Sequence, residues 1–530
     1  MADTKREIER KYESDDSGLP DLTGVAGVAA VIDKGVADLD ATYYDTSDER
    51  LASASLTLRR RTGGTDAGWH LKLPVAPGVR DEVQAPLSAG VPRALAALVR
   101  SRVRDAELLP LVRLRSSRDI RHLVDADGAL LAEVSVDAVD AERLTGEGGR
   151  AQWTEIEVEL ADGGDPAFLD AVEKRLRKAG VRPADSPSKL ARALAETAPG
   201  ATAPGAKKAG KARAKGRQSQ PKAKQKSPAP APSPPKPRTA PVTAGDHVLA
   251  YLSAQRDAIV ALDPAVRQGE YDSVHRMRVA TRRLRSTFRS YRKVLDPAVT
   301  APVGEELKWL AGELGVDRDQ EVLTERIATA LAELPRTLAF GPVRARLRIW
   351  STARRGGSRR RLIAVLDGRR YLTLLDTLDA LLADPPLLKA ASGTPEKVIR
   401  KAERKDFGKV AALVERALEL PPGPERDLDL HEARKKAKRT RYCAEAAVPA
   451  LGDPAAALVK AAKALQTLLG DHQDSVMTRE ALRGLAAQAH AAGESAFTYG
   501  LLYGREEARA ARAEAELPAL WASIRTKGAV

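Results

Sequence analysis

Through residue 197, apolar and polar positions alternate in short runs. From residue 244 onward they recur every three to four residues. The alternating runs Ile8–Tyr12, Leu56–Arg61, Trp69–Leu73, Leu111–Arg115, Leu130–Val136 and Trp153–Leu160 predict β-strands. Asp125-Ala126-Asp127-Gly128 between two such runs is a hairpin signal. Val91–Arg100 and Pro166–Ala179 carry helical periodicity. The helical stretch 244–526 is broken near Asp296-Pro297, Gly341-Pro342, Pro385-Pro386 and Pro421–Pro424. It predicts two successive, pseudo-symmetric four-helix bundles, at about 246–385 and 394–526. Residues 198–243 are mostly Ala, Lys, Pro, Ser and Gly, with almost nothing to bury. They are expected to form a disordered basic linker. The chain is therefore an α+β multidomain protein, with a strand-rich domain over 1–197 and an all-α domain over 244–526.

The polar faces of the strands carry the first chemistry. Side chains two apart on a strand share a face. Glu7, Glu9 and Lys11 do so, as do Arg59 with Arg61, Arg113 with Arg115, Glu133 with Asp137, and Glu155 with Glu157 and Glu159. Lys72 stands within Trp69–Leu73. An ordinary solvated sheet face mixes signs, whereas most of these faces carry one sign. A barrel with a charged lumen needs such faces. Carboxylates suit hard cations such as Mg²⁺ or Mn²⁺. Arg and Lys suit phosphate oxygens.

The helical half carries a duplication. His275-Arg276-Met277-Arg278 and His431-Glu432-Ala433-Arg434 open two stretches that superpose in sequence. Cations coincide at Arg278/Arg434, Arg282/Lys438, Arg283/Arg439 and Arg285/Arg441. Leu314-Gly315 is echoed by Leu469-Gly470, and Asp319 by Asp474. At about 100° per residue, His275, Arg278, Arg282, Arg285 and Arg289 form one stripe, opposite Met277, Ala280, Leu284, Phe288 and Tyr291. His431, Arg434, Lys438 and Arg441 repeat the stripe, which Glu445 cuts short. Like charges at i,i+3 and i,i+4 repel. Two matched copies bearing that cost point to a polyanion held between similar halves.

Charge and composition refine this picture. The net charge is +15, but eleven cations between Lys207 and Arg238 lie in the linker, where no acid offsets them. An anion site in the folded parts must come from local segregation. Cys443 is the single cysteine, so no intrachain disulfide forms and a reducing cytoplasm is expected. No run approaches the ~18 apolar residues a spanning helix needs, so no membrane partner is expected. His70, His122, His247, His472 and His490 show no zinc spacing with cysteine, so no zinc site is expected.

The motif Glu7-Ile8-Glu9-Arg10-Lys11 resembles the ExExK signature of CYTH domains, the triphosphate tunnel metalloenzymes. Tyr43–Thr46, Leu56–Arg61, Trp69–Pro74, Glu155–Glu159 and Ser188-Lys189-Leu190 follow in that family's order. The resemblance implies an eight-stranded antiparallel tunnel, with Glu7, Glu9 and Lys11 in the catalytic motif. It implies Glu7, Glu9, Glu155, Glu157 and Glu159 on the metal side, for Mg²⁺ or Mn²⁺. Lys11, Arg59, Arg61, Lys72, Arg113, Arg115 and Lys189 would bind the triphosphate. Residues 245–525 resemble a CHAD domain, whose signature is the paired His-x-x-Arg. That resemblance implies a basic groove for inorganic polyphosphate, built from the two stripes including Arg283 and Arg439. The CYTH–linker–CHAD order resembles a recurring bacterial arrangement. The leading expectation is a metal-dependent phosphohydrolase acting on inorganic triphosphate or a related compound, coupled to a polyphosphate-binding domain. The alternative is a non-catalytic polyphosphate-binding or granule-targeting protein. A nucleic-acid binder ranks third, because aromatics for base stacking are few.

Overall fold

The computed structural model describes residues 3–14, 18–146, 148–199, 240–355 and 358–526. The expected linker, 198–243, lies outside the described residues over 200–239. Two compact units divide the chain, Met1–Pro232 and Ser233–Val530.

The first unit is built on β1 (Asp3–Glu13), β2 (Ala30–Asp45), β3 (Thr57–Thr62), β4 (Gly68–Ala76), β5 (Val79–Ala85), α1 (Arg93–Val103), β6 (Leu109–Val124), β7 (Leu130–Arg143), β8 (Arg150–Leu160), α2 (Ala167–Lys178), β9 (Arg182–Pro183) and α3 (Lys189–Glu196). The strand order is β5-β4-β3-β2-β6-β7-β8-β1. β1 closes the ring by pairing twice, through Asp3–Ile8 with β5 and through Glu9–Glu13 with β8. The result is a closed antiparallel eight-stranded barrel. The short β9 adds to β1 at Tyr12 and Glu13.

Apolar positions leave the lumen in two directions. Tyr12, Val134, Ile156 and Val158 pack outward with Leu169, Val172 and Leu176 of α2. Leu58, Trp69, Leu71 and Val83 pack with Leu95, Leu98 and Val99 of α1. A third core joins Tyr43, Val112, Leu114 and Trp153 to Leu190, Ala193 and Leu194 of α3. Ser188 starts α3 because its hydroxyl accepts the Ala191 N–H at 3.1 Å, a standard N-cap. This cap fixes Lys189 as the first helical residue.

The second unit is all helical: α4 (Ala244–Gln268), α5 (Ser273–Ser290), α6 (Pro297–Glu313), α7 (Val316–Ala332), α8 (Val343–Arg355), α9 (Ser358–Asp367), α10 (Arg369–Ala383), α11 (Pro395–Glu419), α12 (Pro424–Leu451), α13 (Asp453–Ala491) and α14 (Phe497–Thr526). The proline and glycine breaks fall where the sequence places them, with Pro297 and Pro424 in the first turns of α6 and α12. The duplication is visible in the elements. α5 and α12 carry the two stripes. α6 and α7, parted at Leu314-Gly315, answer to the continuous α13, which carries Leu469-Gly470.

The two copies interlock. Met277, Leu284 and Phe288 of α5 share a core with α4, α6 and α10, and with Cys443, Ala446 and Ala447 of α12. Ala433 and Ala437 of α12 pack with Val414 of α11, Leu469 of α13 and Trp521 of α14. Ile327 of α7 and Trp350 of α8 pack with Leu485 of α13 and Leu502 of α14. Small alanines on α12 let it lie close to its neighbours, so its stripe faces that of α5. No helix among the described residues is long and apolar enough to cross a membrane.

Candidate functional site

The barrel encloses a cavity of 420 Å³. Its wall carries Glu7, Glu9 and Lys11 from β1, Arg59 and Arg61 from β3, and Lys72 from β4. Arg80 and Glu82 from β5, Arg118 from β6, Glu133 from β7, Glu157 and Glu159 from β8, and Lys189 from α3 complete it. The charges are interleaved. Lys72 bonds Glu7, and its Nζ lies 3.8 Å from Glu82. Lys11 bonds Glu157 and sits 3.3 Å from Glu9. Arg118 donates to Asp137 at 2.7 Å and to Glu157 at 2.8 Å. Lys189 Nζ lies 2.9, 2.7 and 2.6 Å from Asp137, Glu155 and Glu157.

The proton balance follows from these contacts. Burial, with a hydrogen bond to Glu82, pushes the Glu7 carboxyl up to about 8 despite Lys72. Burial also opposes ionisation of Glu9, but Lys11 and Lys72 outweigh it and bring Glu9 down to about 2. Burial brings Arg61 down to about 9, helped by Arg59 and Arg118. Burial works against the Lys189 ammonium, yet its three carboxylates hold its pKa well above the usual lysine range. Buried ion pairs return little net stability once desolvation is counted. A lumen this charged is therefore expensive unless a ligand uses it. The Nε atoms of Arg59 and Arg61 are buried without a protein hydrogen-bond partner. Arg59 Nη1 donates to the Tyr43 hydroxyl at 3.3 Å. Both guanidiniums thus retain donor capacity of the kind that phosphate oxygens satisfy.

Several expected positions are corrected. Arg113 and Arg115 do not line the cavity: Arg113 pairs with Asp40 on the outer face and Arg115 is exposed. Arg118 takes the inward place on β6. Val112 and Leu114, on its side of the strand, are covered by α3, so the inward face of β6 turns from apolar to charged along its length. Glu155 shares the inward face of β8 with Glu157 but is covered by Lys189, 2.7 Å away, and accepts from the Trp153 indole N–H at 2.6 Å. Glu159 does line the cavity, paired with Lys5 2.9 Å away. Glu82, Arg80 and Tyr43 were not singled out as site residues from the sequence. The motif residue Asp45 has a structural task, accepting from the N–H groups of Thr46, Leu51 and Ala52.

For a metal, the lumen offers only hard oxygen donors from carboxylates, the chemistry of Mg²⁺ and Mn²⁺. Asp137, Glu155 and Glu157 bring donor atoms within 4.8 Å of one another. Lys189, Arg118 and Lys11 already pair with that trio. Glu7, Glu9 and Glu157 line the cavity, each paired with a lysine.

In the helical unit, α5 and α12 bring the stripes together. His275, Arg278, Arg282, His431, Arg434, Lys438 and Arg441 line one concavity of 500 Å³. Arg282, Arg285, Arg289, Lys438 and Arg439 line a second, of 410 Å³. The two share Arg282, Lys438 and Tyr442. His431 Nδ1 is 2.6 Å from Gln473 Oε1. Arg282 donates to the Tyr442 hydroxyl at 3.2 Å. Arg283 lines neither concavity. It bonds Glu445 at 2.8 Å, and Glu445 also lies 3.6 Å from Arg441. The acid that interrupts the second stripe thus ties down one cation from each helix, Arg283 of α5 and Arg441 of α12. Arg439 bonds Asp406 at 2.9 Å, and Arg289 is 3.5 Å from Glu305.

The echoed glycines have a physical reason. A Cβ on Gly315 would fall 2.7 Å from Arg278 Nη2, and one on Gly470 would fall 3.6 Å from Arg434. Each glycine is a platform for the first arginine of a stripe. Gly315→Ala is expected to keep the fold, because the clashing atoms are the far end of a flexible side chain. It should displace Arg278 and weaken polyanion binding as much as Arg278→Ala does, while Gly470→Ala should do little. Titrating long-chain polyphosphate into both variants, with melting curves alongside, checks this.

A closed charged tunnel followed by an all-helical unit with a two-sided basic groove defines the class. A CYTH domain matches residues 5–194 and a CHAD domain matches residues 250–483. The chain belongs to the proteins in which a CYTH domain is followed by a CHAD domain. An uncharacterised protein of Mycobacterium tuberculosis, matched in two strains, is 38% identical over 529 residues, covering 97% of this chain and 95% of its own. PptA from Streptomyces chartreusis is similar over 53% of this chain and 99% of its own, at 21% identity and a TM-score of 0.45. The CHAD domain of the plant Ricinus communis is similar over 54% of this chain and 93% of its own, at 25% identity and a TM-score of 0.42.

Proposed function

We propose that the barrel hydrolyses the phosphoanhydride of inorganic triphosphate or a related compound, and that the helical groove binds linear inorganic polyphosphate. The observation that carries the reading is the charged lumen, where half-buried Arg59 and buried Arg61 line one cavity with carboxylates of β1 and β8. Arg59, Arg61, Lys72 and Arg118 bind and orient phosphate oxygens. Lys11 and Lys189 keep the neighbouring carboxylates ionised. The closed wall limits water to the cavity itself, which strengthens every charge contact within it. Glu7, Glu9 and Glu157 would hold a divalent ion. Such an ion supplies Lewis-acid charge neutralisation at phosphoryl oxygens. Phosphate release from tripolyphosphate, long-chain polyphosphate, ATP and thiamine triphosphate, with Mg²⁺ or Mn²⁺, tests the reading. Absence of release from all four rejects it in favour of a binding protein.

The groove has a pH signature. Burial, together with Arg434, Arg282 and Arg278, brings the Lys438 ammonium down to about 7, against Asp474. A bound polyanion favours the protonated form, so binding above pH 7 takes up a proton. Affinity for long-chain polyphosphate should then fall as pH rises from about 7, by up to about tenfold per pH unit. Lys438→Arg, charged throughout, should abolish that fall. Calorimetry across pH 6.5–8.5, a window chosen around the value of about 7, measures both.

A further inference from the structure

Outside the lining of the basic groove, Asp427, His472 and Glu514 converge where three helices meet. Asp427 lies in the first turn of α12, His472 in the middle of α13, and Glu514 on α14. The His472 side chain is 2% exposed. Its Nε2 lies 3.3 Å from Asp427 Oδ1 and 3.2 Å from Glu514 Oε1. All three donor atoms lie within 4.8 Å of one another.

A single imidazole N–H cannot point well at two oxygens. The Glu514 contact is a hydrogen bond at the long end of the N–H···O range, about 2.7–3.2 Å, and the Asp427 contact lies beyond it. They do match the edge of a coordination tetrahedron. With metal–ligand bonds of about 2.0–2.2 Å, neighbouring ligands stand about 3.3–3.6 Å apart. The surroundings suit an ion. Arg426 Nε lies 3.3 Å from Glu514 Oε2, which leaves Oε1 directed at His472. An outer contact of this kind orients a ligand. Two carboxylates balance a divalent charge, and the imidazole favours Zn²⁺ over Mg²⁺ or Ca²⁺. Sequence spacing could not reveal the set, because each ligand comes from a different helix and no cysteine takes part.

We propose that Asp427, His472 and Glu514 form a zinc site that pins α12, α13 and α14 together. Three protein ligands leave one position for water. The site adjoins the groove through Gln473, the residue after His472, which holds His431.

The test uses the full chain, stripped with chelator and kept in excess Mg²⁺ to occupy oxygen-only sites in the barrel. Cobalt(II) is added, followed by zinc. One equivalent of cobalt should give the intense visible bands of a tetrahedral site, which octahedral oxygen sites do not give. Zinc should bleach those bands and raise the melting temperature. His472→Gln should abolish the bands. Glu514→Gln, which keeps shape and an acceptor toward His472, should weaken zinc binding by about tenfold or more without lowering the metal-free melting temperature. The proposal is overturned by a wild-type chain with no tetrahedral bands. Bands that persist unchanged in both variants overturn it too, and so does zinc that raises the melting temperature of His472→Gln as much as that of wild type.

Discussion

Changing Glu7 and Glu9 together to glutamine is expected to lower phosphate release from tripolyphosphate by at least roughly 100-fold, a loss typical of removing charge aimed at a reacting centre. The two carboxylates sit side by side on β1 but in opposite protonation regimes, Glu7 raised to about 8 and Glu9 lowered to about 2. A cation held by the pair would favour the ionised form of Glu7, while Lys11 and Lys72 hold Glu9 ionised. Glutamine keeps the shape and the acceptor oxygen but removes the charge. The barrel should stay folded, because neither lysine partner is orphaned. Lys72 still has Glu82 at 3.8 Å, and Lys11 still has Glu157. Circular dichroism and melting separate a folded, inactive double variant from a collapsed one. Wild-type turnover by the double variant at saturating Mg²⁺ would remove Glu7 and Glu9 from the reaction and put the tunnel reading in doubt.

Much of the lumen is readable in the sequence because strand parity is strict. Glu7, Glu9 and Lys11, Arg59 and Arg61, and Glu157 with Glu159 reach the cavity because one face of each strand is charged and the other packs on α1 or α2. The rule fails on β6 for a physical reason. α3 enters one end of the barrel with Leu190 and Leu194, so the inward face there must be apolar. Arg113 and Arg115 then face out, and Arg118 takes the inward role. β5, Val-Arg-Asp-Glu-Val-Gln-Ala, lacks a regular apolar–polar alternation, and so hides Arg80 and Glu82. In the helical unit the duplicated histidines and cations are plain in sequence. What the glycines do is not, since their contact with Arg278 and Arg434 spans two helices.

The largest binding effect is expected from the stripes. Arg278→Ala with Arg282→Ala, and separately Arg434→Ala with Lys438→Ala, should each weaken long-chain polyphosphate binding by about tenfold or more. Arg278 and Arg282 face Arg434 and Lys438 across one concavity, so a linear polyanion that meets one pair is already within reach of the other. Losing either pair forfeits that local concentration as well as its own contacts. Each double variant should also flatten the dependence of log affinity on log salt by about 1–2, because fewer counterions are released on binding. Short chains that reach only one stripe should respond mainly to one pair. Tripolyphosphate hydrolysis should be unchanged in both variants, since none of these residues belongs to the barrel. Long-chain binding equal to wild type in either double variant, at the same ionic strength, would reduce that stripe to a solvated face and end the shared-groove model.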